Sequence, residues 1–182
     1  EDGEIAKEID VLGLFWKNDM LYHLLANNRE AVLNNEKDIV HLNDVEELTA
    51  EMADSFPMFE AGDLLLSLRQ PNMLMVIDPE TEKVKWFQTG PWIQQHDGDW
   101  QPDGTITVFD NAYDVTGDGS VFGGSNIVRV NPTTGEVKWI YGQEEGQDFY
   151  AKIMGDAFDI LGAHIALFQR ADAGLGLAQV EE

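Results

Sequence analysis

The chain has four histidines, and two of them head the same short spacing of titratable side chains. His41 precedes Asp44 in "HLNDVEEL", and His96 precedes Asp97 and Asp99 in "HDGDW". Histidine changes charge near neutral pH, so it can serve there as a nucleophile or a proton acceptor. A nearby carboxylate can hold its ring in one tautomer, a role open to Asp97 or Asp99 at His96. The same pattern has a plainer use. An aspartate at the mouth of a strand caps a turn by accepting backbone N–H bonds. On spacing alone both readings stand.

These residues need elements to hold them. Each His-x-x-Asp leads into a segment of strand texture, Leu64 to Leu68 after the first and Thr105 to Phe109 after the second. A third lead-in, "GDAFDILGAHIALF", has Gly155 in the histidine position and ends on Ile165 to Phe168. A hairpin repeat follows the first two. "VIDPETEKVKW" returns as "VNPTTGEVKW", with Pro79 and Pro132, Val84 and Val137, Lys85 and Lys138, and Trp86 and Trp139 each 53 residues apart. Proline fixes φ for the turn, and Val-Lys-Trp alternates between the two faces of a strand. Repeated all-antiparallel units of this length point to propeller blades, about two and a half of them, where a closed ring needs at least roughly four. The expected fold is mainly β: a partial β-propeller with an N-terminal helical segment. Residues 1–38 form that segment and its linker, and residues 39–182 form the blades. From Ile9 to Val32 the apolar spacing predicts one or two amphipathic helices, broken near Asn18-Asp19. The chain opens on Glu1 without a methionine and closes on Glu182 in strand texture, which reads as a mature or truncated product. An open sheet edge invites pairing, so a homo-oligomer is expected, or a remainder that closes the ring.

Composition narrows the partners. Asp and Glu number 34 against 11 Lys and Arg, a net charge of -23, which repels nucleic acid and anionic lipid. With no cysteine there is no disulfide, thiolate nucleophile or Cys-based zinc site. No apolar run has the length of a membrane span. "DVTGDGS" from Asp114 has the front half of a calcium loop, but Ser125 stands where a bidentate carboxylate belongs. It reads as an acidic, Gly-rich loop, and no metal is assigned.

"HLNDVEEL", "FEAGDLLLSLR", "VIDPETEKVKW", "TGPWIQQHDGDWQPDGTITVFDN" and "IVRVNPTTGEVKWIYG", in that order, resemble the arylsulfotransferase family. The likeness runs from about Asp10 to Leu177. It implies a six-bladed propeller that moves a sulfuryl group from a phenolic sulfate ester to a phenol acceptor. The family works through histidines and an arginine at the central channel, with no nucleotide donor and no cofactor. It also implies a periplasmic or secreted protein. The resemblance makes His96 and His41 the candidate catalytic residues. Sulfuryl transfer also needs donors for anionic oxygens, which Arg69 at the end of "LLLSLR" can supply. Arg69 can equally pair with a surface carboxylate. Trp92 and Trp100 flank His96 and either wall an aromatic site or pack beneath it. With Asp97 and Asp99 they complete the candidate substrate-binding set.

Three features depart from the family. No arginine follows "FDN" closely, the next being Arg129 inside a strand, none follows Gly174, and the third turn reads "LGAH" where the family has a polar turn. These departures leave a second reading, a non-catalytic propeller fragment that binds a ligand or another chain. A quinone-dependent dehydrogenase propeller shares the tryptophan hairpins, but no paired cysteines or metal-ligand set support it here. His23, among Leu21, Leu24 and Leu25, reads as packing at the core edge, and His164 as structural.

Overall fold

The computed structural model describes residues 5, 7–28, 33–34, 38–114, 116–146 and 149–152, and the backbone of three strands within 156–178. Two short helices come first, α1 (Val11–Lys17) and α2 (Leu21–Asn27). The break falls where the apolar spacing placed it. Asp19 turns the chain at φ +57°. Asn18 then pins the corner to the first sheet: its Nδ2 donates to Leu14 O (2.9 Å) and Glu82 O (3.0 Å), and its Oδ1 accepts from Val84 N (3.0 Å).

The first sheet is β1 (Leu42–Glu47), β2 (Leu64–Leu68), β3 (Met73–Asp78) and β4 (Lys83–Thr89), antiparallel in that order. The second repeats it with β5 (His96–Trp100), β6 (Ile106–Asp110), β7 (Asn126–Val130) and β8 (Val137–Tyr141). The third comprises β9 (Asp156–Ile160), β10 (His164–Ala171) and β11 (Gly174–Ala178). Among the described residues this is a partial propeller of three sheets that do not close a ring. The two four-stranded sheets share one strand order, and the hairpins read from the sequence form their last two strands. In both β3–β4 and β7–β8 the residue before proline makes the turn. Asp78 Oδ1 accepts from Glu80 N and Thr81 N, and Asn131 Oδ1 accepts from Thr133 N and Thr134 N.

The central strands of the first two sheets are buried on both faces, which is why β3 reads "MLMVID" without polar alternation. Leu65, Leu74 and Val76 face the second sheet, where they meet Ile106, Val108, Val128 and Val130. Their neighbours Leu66, Leu68, Met73, Met75 and Ile77 face the other way and are covered by Leu14, Phe15, Met20 and Leu24 of the helical segment. Trp92 and Trp100 belong to the core between the sheets, 1% and 3% exposed. Trp100 meets Phe56 edge-on at 4.7 Å between centroids.

One expectation needs correcting. The two His-x-x-Asp segments are not turns ahead of a blade's first strand; they run into strands of their own. "LNDVEE" and "HDGDW" form β1 and β5, the innermost strands. Their composition disfavours strand. Pairing to β2 and β6 overrides it, and so do carboxylates that bind the neighbouring sheet. Asp44 Oδ2 accepts from Gly98 N (3.2 Å), and Glu46 Oε2 accepts from Trp100 N (2.8 Å). Gly98 lets the strands approach, since a Cβ there would lie 3.2 Å from a Leu74 methyl. Each inner strand is bulged at its head. The register skips Asn43 in β1 and Asp97 in β5.

Candidate functional site

β5 touches both β1 and β9, and at the head of β1 Asn43 Nδ2 donates to Gln95 O just before β5 (2.7 Å). His96 opens β5 opposite Phe109 and is half-buried. Its Nδ1 lies 2.7 Å from Asn111 Oδ1. The Asn111 amide is oriented by its other end, where Nδ2 donates to Ala151 O (2.8 Å). A carbonyl oxygen accepts only, so Nδ1 carries the proton and Nε2 of the neutral ring keeps its lone pair. Burial holds the His96 pKa below the ordinary histidine value. The charge of Arg69 and, after it, of His41 acts in the same direction, against the Asn111 hydrogen bond. A neutral ring with an available Nε2 is the form a nucleophile or base needs.

Asp110, beside Asn111, is held by hydrogen bonds of its own. The buried Asp110 carboxylate accepts from Ile93 N (2.8 Å), Ala112 N (2.9 Å) and Asn126 Nδ2 (3.2 Å). Burial pushes its pKa up, and those donors oppose the shift.

Arg69 follows β2, and its backbone N donates to His41 O (3.0 Å). Its Nη2 donates to Gln94 Oε1 (2.5 Å). Gln94 is in turn held through its backbone N by Asn72 Oδ1 (2.7 Å). The guanidinium carbon lies 5.9 Å from the centre of the Tyr113 ring. The next residue, Gln95, is wholly buried, and its Nε2 bonds Leu68 O and Met73 O (both 3.1 Å). The segment from Ile93 to Gln95 thus bolts the mouth of the second sheet to the first.

The structure brings His96, Arg69 and His41 to one place. The ring partner at each histidine is a residue other than Asp44, Asp97 or Asp99. His41 sits at φ +45° with its Nδ1 2.8 Å from Asp38 Oδ2, so its carboxylate comes from upstream and not from Asp44. Asp44 follows the plainer reading, accepting a backbone N–H from the next sheet. At His96 the acceptor on Nδ1 is Asn111 in place of Asp97 or Asp99. Asp97 is the bulge residue at φ +55°, and Asp99 lies further along β5, its charge acting on Glu46. Trp92 and Trp100 are packed inside, with Trp92 Nε1 bonded to Asn72 O (2.9 Å), so they underlie the site.

Other candidates fall elsewhere. His23 on α2 packs its ring 4.7 Å from Phe87. Arg129 sits at the far half of β7, 3.4 Å from Asp103. The Asp114 carboxylate is saturated by its own loop, with Thr116 N (3.0 Å), Gly117 N (3.0 Å) and Val121 N (2.9 Å) as donors. Hydrogen bonds, led by Thr116, hold Asp114 low and Asp118 down to about 2. Among the described residues, no group of three or more His, Cys, Asp or Glu side chains could hold a metal ion. The "LGA" of the third turn, Gly155 and the last residues of the chain lie outside the described ones, as does the His164 side chain.

Asn111, Gln94 and Tyr113 were not singled out from the sequence. The available signal was "FDN" itself. A polar pair closing a buried strand directly opposite His96 is placed to hold that histidine.

The class defined by fold and site is a partial β-propeller with an oriented histidine and an arginine gathered at the mouths of its inner strands. The arylsulfotransferase (ASST) family model matches residues 2–176, and the chain belongs to that family. No curated protein matches it.

Proposed function

We propose that the mouth of β5 is a sulfuryl-transfer site acting on a phenolic sulfate ester, with a phenol as acceptor. The hydrogen bond from His96 Nδ1 to Asn111 carries this reading, because it leaves Nε2 as the attacking atom. In the first half-reaction Nε2 attacks sulfur and an N–S bond forms. The S–O bond to the aryl group breaks, and its electron pair leaves with the phenolate, which takes a proton from water. In the second the acceptor oxygen attacks sulfur, the N–S bond breaks, and the acceptor's proton passes to water or to His41. The Nδ1 proton stays on His96 throughout, hydrogen-bonded to Asn111 Oδ1. Arg69 supports the sulfuryl oxygens. The scheme uses no metal or cofactor. Family membership supports the substrate class and a periplasmic or secreted setting; among the described residues no helix is long and apolar enough to cross a membrane.

The test is a chromogenic aryl sulfate with and without a phenol acceptor. Phenol release should depend on the acceptor and fall by about a thousandfold or more in His96→Ala. Unchanged turnover in that variant would remove His96 from the chemistry. A second reading rests on the lack of an arginine soon after "FDN": the same site binds an aryl sulfate without turning it over. Binding with no turnover by folded protein would select it.

A further inference from the structure

His96 and Arg69 stand on different sheets, so no ladder within one sheet fixes the distance between them. Side chains that cross from sheet to sheet must do so, and two of these are uncharged amides. Gln95, the residue before His96, is wholly buried. Its Nε2 lies 3.1 Å from Leu68 O, 3.1 Å from Met73 O and 3.2 Å from Ser67 Oγ. An amide nitrogen carries two hydrogens, and the two carbonyls take them. Leu68 is the residue before Arg69, and it pairs with Met73 at the end of the β2–β3 hairpin. The amide therefore ties the residue ahead of His96 to the residue ahead of Arg69. Asn43, which the register of β1 skips, adds a second tie through its Nδ2, which donates to Gln95 O (2.7 Å).

Stability alone does not account for these amides. Gln95 Oε1 and Asn43 Oδ1 are both buried with no hydrogen-bond partner among the described residues. An unpaired buried acceptor is a cost to folding. What the two side chains supply is geometry without charge. A carboxylate in either place would favour the protonated form of His96, and a cation there would repel Arg69. The backbone nearby is bent to the same end. His41 at φ +45°, Asn72 at +53° and Gln94 at +52° are left-handed, a conformation uncommon outside glycine and concentrated where position matters. Asn72 Oδ1 holds Gln94 N (2.7 Å), and Gln94 Oε1 accepts from Arg69 Nη2 (2.5 Å).

We infer that Gln95 and Asn43 are positioning residues, amide straps that set the spacing of Arg69 from His96 across the two sheets. The inference rests on the sulfuryl-transfer reading for the reaction the spacing serves, but the spacing is testable without turnover.

The experiment follows the ring resonances of His96 through a pH titration of the full chain, wild type and variants, with aryl sulfate kinetics and thermal unfolding on the same preparations. Burial, and then the charge of Arg69, hold His96 below the ordinary histidine value, so loosening one sheet from the other lets it rise. Gln95→Met removes the strap at nearly constant volume. The His96 titration should move up in pH, and the shift that Arg69→Gln produces should be smaller in the Gln95→Met background than in wild type. The kcat for phenyl sulfate should fall about 100-fold with KM changed less than about threefold, the mark of misplacement without lost binding. Asn43→Ala removes the second strap together with its unpaired acceptor, so it should fold and move the titration the same way by less. A glutamine that is merely structural would lower the unfolding temperature and leave His96 where it is. An unchanged His96 titration in Asn43→Ala and in folded Gln95→Met would overturn the inference, and so would a full-sized Arg69→Gln shift in Gln95→Met. If Gln95→Met does not fold, Asn43→Ala alone decides. Shifted titrations in a protein that turns over no aryl sulfate would sink the transfer reaction and leave the straps standing. Turnover with unshifted titrations would do the reverse.

Discussion

At the scale of the residue, the site depends on which proton His96 keeps. Below its pKa both ring nitrogens carry protons and Nε2 has no lone pair to offer. Turnover should therefore rise with pH along an acid limb set below the ordinary histidine value, because burial first, and then the charge of Arg69 and of His41, oppose protonation. Arg69→Gln removes one of those charges, so the limb should move up in pH. The same change should lower kcat/KM by about 10- to 100-fold, since an oxyanion donor is lost. A pH–rate profile of both proteins reads the two effects separately; a limb that stays in place would mean Arg69 is too well screened to act on His96. Little of this was legible beforehand. The histidines stood out, because few residue types titrate near pH 7. Their partners did not, because Asn111 and Asp38 reach them through a bulge and a left-handed residue, and neither leaves a mark in spacing.

At the scale of the element, the inner strands are the part that sequence conceals. The β3–β4 and β7–β8 hairpins announce themselves through proline turns and alternating Val-Lys-Trp. β1 and β5 are polar, bear a glycine or asparagine, and become strands only against a neighbour. Their bond to each other is partly a carboxylate device. Glu46 accepts from Trp100 N, yet burial, with Asp99 and Asp44 adding to it, pushes its pKa up to about 7. The folded protein thus holds a proton on Glu46 that the unfolded chain releases nearer the usual 4.5. Folding is favoured by this group below pH 4.5 and through the interval, and that contribution is lost as pH rises through about 7. With much of the side chain open to screening, the effect should be about 1 kcal/mol. Glu46→Gln keeps an acceptor for Trp100 N and removes the titration. Urea unfolding at pH 5 and pH 8 should show wild type losing stability at the higher pH relative to Glu46→Gln. Parallel behaviour of the two would show that Glu46 ionises normally.

At the scale of the whole molecule, fold class and blade count followed from one repeat, and the helical corner from one break in apolar spacing. The covering of the first sheet by those helices did not, since nothing in an amphipathic pattern names the surface it will meet. The net charge of -23 acts across all three sheets. Like charges repel most in the compact state, and salt screens them over a Debye length of about 10 Å at 0.1 M. The unfolding temperature should therefore climb by about 5 °C between 0.05 and 1 M NaCl, the size of a roughly 1–2 kcal/mol change in a domain of this length. A flat response in calorimetry would show the surface charge already neutralised by bound cations. The row of Asp44, Glu46 and Asp99 along the inner strands has a different consequence. It runs negative charge along β1 and β5 away from the mouth that holds His96 and Arg69, a balance that tolerates one negative charge on a guest better than two. Phosphate monoesters, dianionic at pH 8, should then be poor mimics of sulfate monoesters. Phenyl phosphate should compete more than about tenfold less well than phenyl sulfate at pH 8, and should close the gap below pH 5, where it carries a single charge.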